Sequence, residues 1–270
     1  MRVAMRYFPS LILLLFLQFC FFATGARAET ITLVADRWCP YNCDPNTDHQ
    51  GFMVDIAQRA FAKHNIDLKY AVLPWSRAIQ ETRDGKYTAL VGASRSDAPD
   101  FIFPTISQGW MQNAFFVPKE STWHYTDVKS LDTVSLGLVA DYTYNKALDA
   151  YITRHKNDAK RIQFIAGNDA LDVNLKKLQA GRIGTLLEAT AVMNYRLKQH
   201  NLVGEIVEAG KLPLSPEDDL FIAFDPHNKH AARYAAILEK ETQAMRENGE
   251  LLAILQRYGL QDWKNQDGKK

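Results

Sequence analysis

Thr30-Ile31-Thr32-Leu33-Val34-Ala35, Gly51-Phe52-Met53-Val54-Asp55, Leu68-Lys69-Tyr70-Ala71-Val72 and Ala89-Leu90-Val91 succeed one another along the chain, and their order decides the fold. The first segment alternates and is rich in β-branched residues, which predicts a strand. A polar loop follows to about Gln50. The second segment opens a helix to about His64, with Val54, Ala57, Phe61 and Ala62 near one face. Asn65 ends it, and Leu68 to Val72 predicts a second strand. Leu73-Pro74-Trp75 leads into another helix, with Ser76 as its expected cap and Asp84-Gly85-Lys86 as its end. Ala89 to Val91 then predicts a short buried strand. Strand, helix, strand, helix, strand is the signature of an α/β lobe with a partly parallel sheet.

The pattern recurs downstream. Ala114 to Val117 predicts a strand, and Pro118 to Leu131 is polar. Strands are expected at 134–139, 162–165, 184–187 and 203–207. Helices are expected at 144–153, 169–180 and 190–199. Gly210 to Asp219 is turn-rich, and Leu220 to Phe224 is apolar again. Two C-terminal helices are expected at 230–246 and 250–258, the last capped by Gly259. Two successive α/β lobes imply a cleft between them, a favoured place for a small molecule.

The N-terminus reads as a secretory signal peptide. Arg2 and Arg6 precede a mostly apolar run from Tyr7 to Phe22, and Ala26-Arg27-Ala28 is a small-x-small cleavage pattern. An uncleaved anchor is the alternative, but the run is short for a spanning helix. Gln18 and Phe19 before Cys20 do not suit a lipoprotein signal. Cleavage after Ala28 leaves 242 residues, with 29 basic against 31 acidic side chains. Such a mixed surface, with no nucleic-acid motif, argues against a polyanion partner.

Cys39 and Cys43 are the two cysteines beyond the signal. In an oxidising compartment they are expected to form a short local disulfide. A zinc site needs further ligands, and His49 stands nearby without a second cysteine pair. Redox pairs more often have two intervening residues. No metal or other cofactor is expected.

Arranged in this order, the segments resemble extracellular solute-binding proteins of family 3, the polar amino-acid-binding type. The resemblance runs through Trp38, Pro40 and Tyr41, then Gly51-Phe52-Met53-Val54-Asp55, Trp75 and Gly85-Lys86-Tyr87. It continues through Arg95, Phe101, Phe103 and Pro104, then Gly181-Arg182-Ile183, Asn248-Gly249 and Tyr258-Gly259. It covers most of residues 30–263. It implies a two-lobe periplasmic-binding-protein type II fold. The expected division is a signal peptide at 1–28, lobe 1 at 29–117, lobe 2 at 118–220, a return to lobe 1 at 221–263 and a disordered tail at 264–270. The chain is expected to cross between lobes near Phe115–Lys119 and Asp218–Phe221.

The resemblance makes Arg95 the first candidate clamp for a ligand carboxylate, since a guanidinium matches a carboxylate with two parallel hydrogen bonds. An ion pair with Asp97 or Asp100 is its ordinary alternative. Arg77, in the first turn of a helix, is the rival clamp or else a solvated residue. Trp38, Tyr41, Trp75 and Trp110 are candidate pocket walls or core residues. Asp141, Tyr142, Thr143 and Tyr144 lie between a strand and a helix. Their backbone can face an anionic group, Tyr142 or Tyr144 can add a hydroxyl, and Asp141 or Thr143 can instead cap the helix. Asp55 reads as a structural group.

In the second lobe the family carries Gly-Arg-x-Asp-Ala and a later aspartate for the ligand's amino group. Here Gly184 replaces the first aspartate, Ala189 falls at the second, and Glu188 is the candidate substitute. The expected function is periplasmic binding of a small polar solute, an amino acid or related carboxylate, by a monomer that delivers it to an inner-membrane ABC permease. Delivery to a signalling receptor is one alternative. A dehydratase-like enzyme using Glu188 is another, although no Gly-x-Ser-x-Gly or His-Glu-x-x-His motif occurs.

Overall fold

The computed structural model describes residues 29–265. The signal peptide and its cleavage site lie outside the described residues, as do residues 266–270. Strand β1 (Glu29–Ala35) leads through the Cys39–Cys43 loop to α1 (Phe52–Ala62), β2 (Ile66–Val72), α2 (Trp75–Arg83) and β3 (Ala89–Ala93). Then come β4 (Gly109–Trp110), β5 (Asn113–Pro118), β6 (Leu136–Val139), α3 (Lys146–His155), β7 (Ile162–Ile165) and α4 (Ala170–Gln179). The remainder is β8 (Thr185–Ala189), α5 (Thr190–Gln199), β9 (Ile206–Lys211), β10 (Asp219–Phe224), α6 (Ala231–Glu247) and α7 (Glu250–Arg257).

Two five-stranded mixed sheets result, in the orders β2-β1-β3-β10-β4 and β7-β6-β8-β5-β9. In the first, β1 runs parallel to β2 and β3, while β10 is antiparallel to β3 and β4. In the second, β6 runs parallel to β7 and β8, while β5 is antiparallel to β8 and β9. Each sheet thus contains one antiparallel strand that arrives directly from the other sheet. Leu33, Val34 and Ala35 are all buried because helices cover both faces of the first sheet, so β1 does not keep its alternation to the end.

The first crossing is made at Met111–Gln112, between β4 and β5, and not at Phe115–Lys119. β5 was expected in the first lobe; it pairs with β8 and β9 because Phe115 and Phe116 are buried in the second sheet. The second crossing spans Leu212–Asp218 and ends where β10 begins. The two-residue β4 was not expected. Three other local expectations also shift. Pro74, not Ser76, precedes α2; Asn145, not Asp141 or Thr143, caps α3 by accepting from the Leu148 N–H; and the strand expected at 203–207 runs from Ile206 to Lys211. Trp263–Asn265 forms a 3-10 turn where the tail was expected to begin.

Helix α1 is buried on most sides, between β2, α6 and α7. Gly51 precedes it at φ 106°, and a Cβ there would lie 2.4 Å from the Tyr41 carbonyl oxygen. The Gly51 N–H donates to the Tyr258 hydroxyl, which donates to Asp55 Oδ2 at 2.8 Å, with Arg257 at 3.2 Å from the same oxygen. This network fastens the end of α7 to the start of α1 and identifies Asp55 as structural. Among the described residues no helix is long and apolar enough to cross a membrane.

Candidate functional site

Between the sheets lies a cavity of about 40 Å³. From the first lobe it takes Asp36 just past β1, Trp38 in the disulfide-closed loop, Trp75 at the start of α2 and Asp97 after β3. From the second it takes Tyr142 and Tyr144 after β6, and Glu188 near the end of β8. Most of these positions lie at the carboxyl ends of parallel strands, where open α/β sheets place their ligands.

Direct bonds join the two sides. Trp38 Nε1 donates to Glu188 Oε1 at 2.8 Å. The Tyr142 hydroxyl donates to Asp36 Oδ2 at 2.5 Å, and the Thr143 hydroxyl to Asp97 Oδ1 at 2.7 Å. Asp97 Oδ2 also accepts from the Ser94 N–H and hydroxyl, each at 2.8 Å. Glu188 Oε1 accepts a second bond from the Ala189 N–H at 2.8 Å, and no described group donates to Oε2. Outside the lining, Arg37 reaches Asp169 at 3.4 Å.

The cavity is electronegative. Burial pushes the Glu188 carboxyl up to about 7, against the downward pull of its Trp38 and Ala189 hydrogen bonds. Burial likewise raises Asp36 to about 6, although Tyr142 and Asn42 donate to it. Asp97 is raised by burial too. The Tyr142 and Tyr144 hydroxyls are held protonated, pushed up by burial and by the neighbouring carboxylates. Tyr144 is 8% exposed, and its hydroxyl has no hydrogen-bond partner among the described residues. Tyr142 stands edge-on to both Trp38 and Trp75, with ring centroids 6.4 Å apart in each pair.

Residues 31–261 match the model of the bacterial extracellular solute-binding proteins, family 3. The chain belongs to this family. Solved structures agree on the fold. An ancestral arginine-binding protein bound to arginine superposes with a TM-score of 0.70 at 16% identity, over 85% of this chain and 98% of that one. The glutathione-import protein structure from Streptococcus mutans gives 0.71 at 16%, over 85% and 94%. A histidine kinase sensor domain with similarity to periplasmic binding proteins gives 0.69 at 16%, over 87% and 99%. No curated protein matches the chain. Membership makes this a binding protein and not an enzyme, and implies an extracytoplasmic location.

Against that family pattern, the two arginines stand apart from the cavity. Arg95 is exposed; its guanidinium lies 4.6 Å from the Phe221 ring centroid and 5.0 Å from that of Phe103, and donates to the Pro104 carbonyl at 3.0 Å. Neither Asp97 nor Asp100 pairs with it: Asp100 is held by Arg83 at 2.8 Å. Arg77 points from the exposed side of α2 and makes no ion pair among the described residues. A positive side chain expected to clamp a ligand instead covers apolar rings, because stacking on Phe103 and Phe221 gives it contact without desolvation.

The candidate aromatics divide. Trp38, Trp75, Tyr142 and Tyr144 line the cavity. Tyr41 stacks beneath Trp38, with centroids 4.3 Å apart, and its hydroxyl donates to the Trp110 carbonyl at 2.8 Å. Tyr41 and Trp110 line a separate groove, beside the first crossing. Of the backbone expected to meet an anion at 141–144, the Tyr144 N–H is engaged, donating to Asp149 at 3.1 Å. At Gly184 a Cβ would lie 2.4 Å from Val134 Cγ2, so an aspartate there would have to displace that side chain.

Asp36 escaped the sequence reading, and Asp97 entered it only as a partner for Arg95. Asp36 was open to discovery, since it is the first polar residue after a buried strand. Asp97 gives no such signal. Its place depends on the turn that folds it back onto Ser94.

Proposed function

We propose that this protein captures a small polar solute between its lobes and delivers it to a membrane permease of the ABC type. One observation carries this reading: a single cavity takes polar and aromatic side chains from both lobes, so that a solute there would bridge them. Trp38, Trp75, Asp36 and Asp97 would meet it from one side, and Tyr142, Tyr144 and Glu188 from the other. Ligand contact with both lobes stabilises the closed arrangement by the differential affinity for it. Closure presents a surface to the permease that the open chain lacks.

In this reading the signal peptide is cleaved after Ala28 and the mature chain acts as a monomer. The amino group of a solute would be met by carboxylates, with Glu188 foremost. The experiment is deletion of the gene followed by uptake of labelled solutes. Loss of uptake of a solute that also shifts the melting temperature of the purified protein supports the reading. Intact uptake with loss of a transcriptional response would favour delivery to a receptor.

A further inference from the structure

We propose that the interlobe cavity takes a small organic cation that bears N–H groups and no carboxylate, a primary amine or guanidinium compound, held by Asp36, Asp97 and Glu188. The proposal rests on the solute-capture reading above and narrows its chemical class.

The lining holds three carboxylates and no Lys, Arg or His among the described residues. The nearby cations are engaged elsewhere: Arg95 on Phe103 and Phe221, Arg37 with Asp44 and Asp169, and Arg196 with Asp172. Charges taken out of water without an opposite charge are costly. An organic cation supplies that charge. A ligand carboxylate would add a fourth negative group.

Hydrogen-bond capacity points the same way. Trp38, Ser94, Tyr142 and Thr143 direct their donors at the protein's own carboxylates. Asp97 occupies the Ser94 N–H and hydroxyl that an anionic ligand group would need. Left over among the side chains are Glu188 Oε2, an acceptor, and the unpartnered, buried Tyr144 hydroxyl, which can accept from a ligand N–H as well as donate. A buried hydroxyl without a partner is destabilising, and a hydrogen bond to a ligand N–H would relieve that cost. The aromatic rings of Trp38, Trp75 and Tyr142 add faces that attract a cation. Among the described residues no cluster of His, Cys, Asp or Glu is arranged for a metal ion, so the cation expected is organic. A cavity of about 40 Å³ suits a compact head group, and a longer solute requires the lobes to part.

Amino acids and their decarboxylated counterparts isolate the carboxylate. The mature protein would be titrated calorimetrically at pH 8 with four pairs: alanine and ethylamine, serine and ethanolamine, ornithine and putrescine, arginine and agmatine. At least one amine is expected to bind at least 10-fold more tightly than its amino acid. Glu188→Gln is expected to weaken it by at least 10-fold. Tyr144→Phe guards against misfolding: it deletes a hydroxyl without protein partners, so the melting temperature of the free protein holds or rises while amine affinity falls several-fold.

An amino acid that binds as tightly as its amine overturns the proposal, as does silence from every amine. Glutamate, succinate, glutamine and glucose complete the titration. Saturable binding of one of these, with the amines silent, retains solute capture and rejects the cation. Silence from all of them rejects both.

Discussion

The indole Nε1 of Trp38 donates a 2.8 Å hydrogen bond to Glu188 Oε1, tying the loop after the first strand of one lobe to the last strand residues of the other. Both groups are more than nine-tenths buried. The bond holds a carboxylate whose charge burial disfavours. A hydrogen bond to a charged group is worth roughly 1.5–3 kcal/mol. Trp38→Phe keeps an aromatic ring over Tyr41 but removes the donor, together with part of the indole's packing. The expected cost is ~2 kcal/mol or less of stability, read as a lower midpoint in urea with unchanged slope. An unchanged midpoint would mean the lobes do not hold this contact in solution.

Stability should fall as pH rises through the mildly acidic range. Glu188 is raised from 4.5 to about 7, and Asp36 from 3.8 to about 6, chiefly by burial. In both cases the folded chain binds its proton more tightly than the unfolded chain. The contribution is therefore complete below the ordinary values and is lost as pH rises through the folded ones. Binding of a cation carries the opposite sign, since ionised carboxylates are what it needs. The affinity of an amine should rise between pH 5 and about 8, with proton release on binding. Melting temperature and buffer-dependent calorimetry measure the two trends. Glu188→Gln should flatten both.

Arg95→Ala should lower stability by ~0.5–1 kcal/mol, the value of an exposed cation held over aromatic rings. Arg77→Ala, on a solvated helix face, should change it by less than ~0.5 kcal/mol. Chemical denaturation of the two variants side by side distinguishes these outcomes. Equal effects would show that the Phe103–Phe221 stack carries no weight.

Gly51→Ala should be severe. The added Cβ would meet the Tyr41 carbonyl at 2.4 Å, and φ 106° is strained for alanine. A loss above ~2 kcal/mol is expected from strain and clash together. The same shift would loosen the Tyr258–Asp55 bond and the Cys39–Cys43 loop that carries Trp38. A denaturation midpoint near that of the parent would rule out this packing.

Local patterns were legible in the chain, and long-range ones less so. The β1-to-β3 alternation, the helix after Gly51 and the two C-terminal helices follow from periodicity and glycine placement over a few residues. The sheet to which β5 belongs does not. Phe115 and Phe116 are buried in either lobe, and only pairing with residues some 70 positions away in β8 decides between them. β4 is two residues long and has no period to read. At the site, the aromatic residues announced themselves by type, and Glu188 by its place at the end of a strand. Arg95 shows the limit. Its chemistry suits a carboxylate, but the direction of its side chain is set by Phe103 and Phe221, which meet it only in the folded lobe.

One titration tests the central claim most directly. The solute that most raises the melting temperature would be titrated into the parent protein, Glu188→Gln and Arg95→Ala. Solute held in the carboxylate-lined cavity predicts at least a 10-fold loss for Glu188→Gln and less than a 2-fold change for Arg95→Ala. The reverse result, with affinity lost in Arg95→Ala and retained in Glu188→Gln, would contradict the account and restore an anion clamp at Arg95.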